Sequence, residues 1–182
     1  FNANMLANEM FLDSADLRSS VVSKAKQVGY TPTSSTASSA VIDVVVNNAS
    51  GASLTMSRGT KFATSINGQN YNFVNNADVT ITPDNGVYKF SNLSIFEGTY
   101  LNFKYTASTS DIDQRFIIPN DNVDTTTLTV KVQNSSSDST TNTYTLADGL
   151  TGLTPTSQVY FLQEVENGRY EVYFGDGVLG KA

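Results

Sequence analysis

At 182 residues the chain can form one sizeable domain or two small ones. It carries 11 Lys and Arg against 17 Asp and Glu, a formal charge of −6; the cations are scattered, so the basic patch that nucleic-acid phosphates require is missing. There is no Cys and no His, which excludes disulfides, thiolate nucleophiles, serine–histidine triads and zinc sites of the usual His/Cys kind.

Apolar residues make up 39% of the chain and charged residues 15%; Ser, Thr and Asn fill the difference. Ten Phe and nine Tyr argue against disorder and for a β-rich chain with short loops. No apolar run approaches the roughly 20 residues of a membrane span. No leader is visible. The lack of Cys fits assembly in a reducing cytoplasm.

The first element is a helix. Leu17, Val21, Ala25 and Val28 recur at helical spacing and form one apolar stripe. Asp13 or Ser14 can cap its start, because a short side-chain oxygen accepts from the free N–H groups of the first turn. Lys24 and Lys26 suit the negative end of its dipole. Gly29 supplies the position just past the end, and Pro32 prevents re-entry. Upstream, residues 1–12 form a shorter helical piece around Met5, Leu6 and Met10.

After Pro32 the period changes to two. Ile42, Val44 and Val46 alternate with Val41, Asp43 and Val45. Phe62, Thr64 and Ile66 lead into Asn67-Gly68, and Tyr71 and Phe73 return from it. Val79 and Ile81 precede a turn at Pro83-Asp84-Asn85-Gly86, followed by Val87–Phe90. Leu101, Phe103 and Tyr105 alternate with Tyr100, Asn102 and Lys104, and Leu128, Val130 and Val132 with Thr127, Thr129 and Lys131. The polar run from Asn134 to Thr143 reads as a mobile loop. Near the end, two apolar runs flank Asn167-Gly168. That dipeptide suits a two-residue type I′ turn, because both central residues need positive φ. On this reading Val159, Phe161 and Val165 share a face with Tyr170, Val172 and Phe174. Many short strands with closely spaced turns predict a mainly β fold: an N-terminal helical segment followed by two small antiparallel, sandwich-like β-units. The expected organisation is a helical segment over 1–36, a first β-unit over 37–108 and a second over 109–182. The stop at Ala182, directly after a glycine turn, leads us to expect that the second unit is truncated.

Three constellations invite a chemical reading, and each has a plainer one. Gly175, Gly177, Gly180 and Lys181 lack the spacing and the following helix of a phosphate loop; turn glycines explain them. Asp111 with Asp113, and Asp121, Asn122 with Asp124, offer oxygens for calcium but form an incomplete ligand set, and such residues are common turn formers. Glu164, Glu166 and Glu171 could imitate a glycosidase pair, but solvated pairing beside Arg169 accounts for them without a cleft. Phe62, Tyr71, Phe73, Phe103 and Tyr105 fall at core positions of their strands. Tyr100 and Tyr173 lie on the opposite faces and suit an interface, where Tyr is favoured.

The C-terminal stretch VYFLQEVENGRYEVYFGDGVLGKA (159–182) resembles the baseplate wedge proteins of contractile-tailed phages, the T-even inner-baseplate wedge family and its baseplate-J-like relatives. Three further pieces resemble the same family in the same order. They are LRSSVVSKAKQVGYTP (17–32), SRGTKFATSINGQNYNFV (57–74) and RFIIPNDNVDTTTLTVKV (115–132), taken as a helix exit, a Gly-Thr-x-Phe hairpin and a strand pair. The departures fall in Ser/Thr-rich stretches. The resemblance implies a fragment of a structural virion protein and not an enzyme. Such a protein joins wedges into the inner ring around the tail hub and takes part in the rearrangement that triggers sheath contraction. It implies pairing with itself, as a dimer, and with other wedge and hub proteins, and it brings no catalytic residue, metal, cofactor, nucleic acid, membrane or small-molecule substrate. The expected location is the virion tail baseplate, reached after assembly in the host cytoplasm. The candidate interface comprises Leu17, Val21, Ala25, Val28, Tyr100 and Tyr173. Composition alone equally suits an extracellular bacterial β-sandwich, either an adhesin or a carbohydrate-binding module.

Overall fold

The computed structural model describes residues 7–28, 30, 32–108, 110–111, 113–165 and 168–181. The chain divides into two compact units: residues 37–102, and residues 1–36 together with 103–182. Residues 1–36, read above as a segment of their own, thus fall in the same unit as the C-terminal strands. The fold is mainly β, with mostly antiparallel pairing and little helix.

Unit 37–102 holds β1 (Ser39–Val46), β2 (Leu54–Met56), β3 (Lys61–Ile66), β4 (Gln69–Asn75), β5 (Val79–Ile81) and β6 (Tyr88–Glu97). The main sheet has the order β1-β6-β4-β3, and β2 and β5 form a separate ribbon. The expected alternation of β1 holds: Ile42, Val44 and Val46 turn inward, whereas Val41 and Val45 stay exposed. On β6 the buried positions are Tyr88 and Phe90, then Leu93 and Ile95, so the period of two slips once between them. The slip is a β-bulge. Asn92 takes φ +55°, and its N–H donates to Asp43 Oδ1 at 2.9 Å. The same carboxylate pairs with Lys89 at 3.2 Å. One extra residue lets both halves of β6 face the core, which a regular strand would forbid.

The stretch Leu101–Tyr105 corrects the sequence reading. It forms no strand, and Tyr100, Leu101, Phe103 and Tyr105 are all exposed. Alternation marks a strand only where a neighbouring edge takes up its backbone groups. No ladder pairs this stretch among the described residues. Phe103 and Tyr105 are therefore not core residues; Phe62, Tyr71 and Phe73 are half-buried on their strands.

The other unit contains α1 (Arg18–Gln27), β7 (Phe116–Ile117), a 3-10 turn (Thr125–Thr127), β8 (Val130–Gln133), β9 (Thr141–Leu146), β10 (Val159–Glu164) and β11 (Tyr170–Phe174). Its sheet runs β7-β11-β10-β9-β8. β7 and β8, expected above as a strand pair, sit at opposite edges. β9 and β10 are parallel, a departure from the all-antiparallel expectation. The core joins Ile118, Tyr144, Tyr160, Tyr170 and Val172, with Leu128, Val130, Leu162 and Phe174 packed against it. Phe174 meets Tyr144 edge-on at 5.4 Å and Phe116 at 6.0 Å, the geometry that aromatic quadrupoles favour.

The expected mobile loop is shorter than its composition suggested. Thr141, Asn142 and Thr143 belong to β9, and the turn between β8 and β9 is tied internally. Asn134 N–H donates to Thr140 O at 3.0 Å, and the Asn134 amide donates to Asp138 Oδ2 at 2.9 Å. The Asn134 amide first, and then Thr140 N–H donating to Asp138 Oδ1 at 2.9 Å, hold the Asp138 carboxyl below its usual range. Polar side chains here supply hydrogen bonds in place of apolar burial.

The last hairpin also differs from its expected form. The register pairs Tyr160 with Phe174, Leu162 with Val172 and Glu164 with Tyr170. Val165 N–H donates to Arg169 O at 2.8 Å, so the connection is the three residues 166–168 and not a two-residue turn. Gly168 takes φ +73°; Glu166 and Asn167 lie outside the described residues. Adding one loop residue shifts the register by one and exchanges the faces. Tyr170, Val172 and Phe174 therefore share the core face with Tyr160, Leu162 and Glu164, not with Val159 and Phe161.

Candidate functional site

The helix stripe is not one continuous face. Leu17 is 46% exposed and Val28 75%, Val21 is half-buried, and Ala25 is buried together with Val22. What orients α1 is Arg18, just beside the expected stripe. Its Nε donates to Glu164 Oε1 at 2.6 Å and its Nη2 to Glu164 Oε2 at 2.9 Å, the two-point pairing that a planar guanidinium makes with a carboxylate. The Glu164 side chain is 1% exposed and that of Arg18 61%. Tyr170 OH adds a contact to Oε2 at 3.4 Å. The pairing raises the Arg18 pKa, through its hydrogen bond to Glu164 first. Burial raises that of the Tyr170 hydroxyl, with the nearby Glu164 charge adding to it.

The helix start is capped by a residue other than Asp13 or Ser14. Glu9 Oε1 accepts from the N–H groups of Asp16 at 3.1 Å and Leu17 at 3.3 Å. A carboxylate there answers both the free donors and the positive end of the dipole. The Glu9 pKa is lowered, first by a side-chain hydrogen bond from Ser20. Residues 7–9 are themselves helical, as the second helical piece required; Met5, Leu6 and Gly29 lie outside the described residues. Ser34 ties the end of the segment down, its Oγ accepting from Thr125 N–H and Oγ1, both at 2.9 Å.

The two tyrosines sit in different units. Tyr100 is 42% exposed, but its ring covers Gly59, where a Cβ would stand 3.2 Å from the ring. Gly59 needs φ +78°, and the Arg58 guanidinium lies 5.7 Å from the same ring centre. Tyr173 is half-buried, stacked on Phe161 at 5.2 Å, with the Arg115 guanidinium 4.9 Å from the centre of its ring. Arg115 also pairs with Glu171 at 2.6 Å, and Gln163 donates to the same carboxylate. That pairing raises the Arg115 pKa, the Glu171 hydrogen bond being the main cause. Phe161, Tyr173 and Arg115 thus form one patch on the face of the hairpin opposite the core.

Two of the carboxylates read above as solvated are not, and the third, Glu166, lies outside the described residues. Glu164 and Glu171 are both buried and each faces an arginine from a distant part of the sequence. Arg169 instead pairs with Asp121 at 2.6 Å. The sequence reading missed Arg18 and Arg115. The one available signal was Glu164 itself, two residues beyond Leu162 and four beyond Tyr160, on the side that a three-residue loop turns inward.

The acidic turns and the glycine loop are occupied by local bonds. Asp111 Oδ1 accepts from Asp113 N–H at 3.2 Å, and Asp124 caps the 3-10 turn through Thr126 N–H at 2.9 Å. Among the described residues no three acidic side chains converge as metal ligands do. In the glycine loop, Asp176 Oδ1 accepts from the N–H groups of Val178 and Leu179, both at 2.9 Å, which lowers its pKa. The chain's own carboxylate thus takes up two N–H donors of its own turn. A Cβ on Gly175 would collide with the backbone of Leu179 and Gly180, so close approach accounts for that glycine. Among the described residues no helix is long and apolar enough to cross a membrane.

No protein-family model matches the sequence. A curated protein does: the chain is 31% identical over 182 residues to "Baseplate wedge protein gp6" of Enterobacteria phage T4. The chain is thus similar to a phage baseplate wedge protein. The match covers 97% of this chain and 26% of the T4 protein. The chain thus spans about a quarter of the length of that wedge protein, and the likeness runs through both units and all four stretches that first suggested it.

Proposed function

We propose that this chain is a structural part of a contractile phage tail baseplate. It sits within a wedge, joins neighbouring wedges into the inner ring around the hub, and takes part in the rearrangement that triggers sheath contraction and genome ejection. The observation that supports this is the 31% identity to the T4 wedge protein along 97% of the chain. The chain acts by contact and carries out no reaction. Its partners are a second copy of itself, in a homodimer, and other wedge and hub proteins. Its place is the virion tail baseplate, after assembly in the host cytoplasm.

Within this reading the exposed ends of the helix, Leu17 and Val28, and the Phe161–Tyr173–Arg115 patch are the contact groups. Tyr and Arg anchors of this sort carry most of the binding energy at protein interfaces. Val21 and Ala25 support the helix from its buried side. Tyr100 shapes the Gly59 turn and contributes its exposed edge. We also propose that 37–102 is an independent domain with a sandwich-like core, carried between the two parts of the other unit.

A nonsense mutation in the gene tests the function. The expected lysate contains tail tubes and sheath protein but no assembled baseplates. Infectious particles with complete baseplates would contradict the proposal.

A further inference from the structure

We propose that α1 is a latched strap: the Arg18–Glu164 pair holds it against the β10–β11 hairpin, and it opens as a unit while the sheet stays folded. Among the described residues the helix has little else to hold it. Its ten residues, RSSVVSKAKQ, include three Ser and two adjacent Val, which are modest helix formers. A helix this short does not persist in water alone. It buries only the small side chains Val22 and Ala25 among its described residues, while Leu17 and Val28 at its two ends stay exposed. Against this stands a two-point ion pair whose acidic half is 1% exposed and whose basic half is 61% exposed.

That asymmetry defines the device. Arg18 can leave toward solvent with small loss, because most of it is already there. Glu164 belongs to the hairpin and stays. Opening uncovers Val22, Ala25 and the Glu164 carboxylate together. The Ser34–Thr125 contact lies beyond the helix and keeps the chain tethered. The same residues can thus present either a closed strap or an apolar strip beside a carboxylate. The inference stands on the helix and the hairpin alone and holds whichever function the chain has.

Hydrogen exchange on the full chain, followed by mass spectrometry through a series of low urea concentrations, tests it. Amides of residues 22–27 are expected to exchange through an opening less sensitive to urea than that of β10 and β11. Exchange of both regions through one common opening would overturn the proposal. Arg18→Met should speed helix exchange about tenfold, the scale of a lost hydrogen bond to a charged group, with β11 changing less than about threefold. Arg18→Met with Glu164→Gln should keep the helix fast while returning β11 to its original rate. An unchanged helix in Arg18→Met, or hairpin amides accelerating by the same factor, would overturn the latch.

Discussion

The β3–β4 and β10–β11 hairpins carry the same dipeptide, Asn67-Gly68 and Asn167-Gly168, and close differently. In the first, Ile66 pairs with Gln69, and Asn67 and Gly68 take φ +52° and +79°, the two-residue type I′ form that Asn-Gly favours. In the second, the loop has three residues and the register moves by one. Burial explains the difference. Residues 63–70 at the tip of the first hairpin are all exposed, so nothing competes with the local turn preference. In the second, every described position of β10 and β11 is buried or half-buried. Setting Tyr160, Leu162, Tyr170, Val172 and Phe174 on one core face is worth more than an ideal turn. A few side chains at roughly 1.5–3 kcal/mol each outweigh a turn preference of about 1 kcal/mol. A turn motif therefore locates a hairpin, but packing decides its register.

Substitutions can break this contrast. The largest expected effect is Val172→Asp, which places an unpaired charge in the core and should cost at least about 4 kcal/mol in urea unfolding. The matching change on the first hairpin, Thr64→Asp, should stay within about 0.5 kcal/mol. Comparable losses at both sites would refute the account of the two registers. Glu164→Ala comes next, at about 1.5 kcal/mol, because it removes the hydrogen-bonded partner of Arg18, whose guanidinium is already largely in water. Pairing Glu164→Leu with Arg18→Met should recover part of that loss, since an apolar side chain then fills the buried carboxylate's place.

Two smaller effects sharpen the comparison. Gly68→Ala has open space around its new Cβ, so only the positive φ opposes it. A loss of about 1 kcal/mol in unit 37–102 is expected, with no change in the register of β3–β4 by NMR. The glycine loop supplies the pH test. The folded-state pKa of Asp176 is depressed by bonds from Leu179 and Val178. Its contribution is present above the unfolded-state value and is lost as pH falls through the folded one. The amide resonances of Val178 and Leu179 should therefore shift together on acidification, below the usual carboxylate range, and should not move in Asp176→Asn.

The sequence carried the mainly β class, the position of the helix and the turns at Asn67 and Asn85, because each rests on local preference or on period. It did not carry the bulge at Asn92, because an inserted residue shows itself only against a partner strand. It misjudged Leu101–Tyr105, since alternation cannot report whether a neighbouring edge exists. It placed Glu164 and Glu171 in solvent, since their arginines lie 146 and 56 residues away and nothing local announces them. In the glycine loop Gly177 and Gly180 take the positive φ expected of turn glycines, whereas close backbone approach accounts for Gly175 and Asp176 accepts two of the loop's N–H groups.

The central claim, that this chain builds a baseplate, is tested most directly by locating it in the assembled particle. Purified virions labelled with an antibody against residues 37–102 should carry label at the end of the tail distal to the head, in a ring around the tube. Label absent from intact tails, or found only on cell surfaces, would contradict the account.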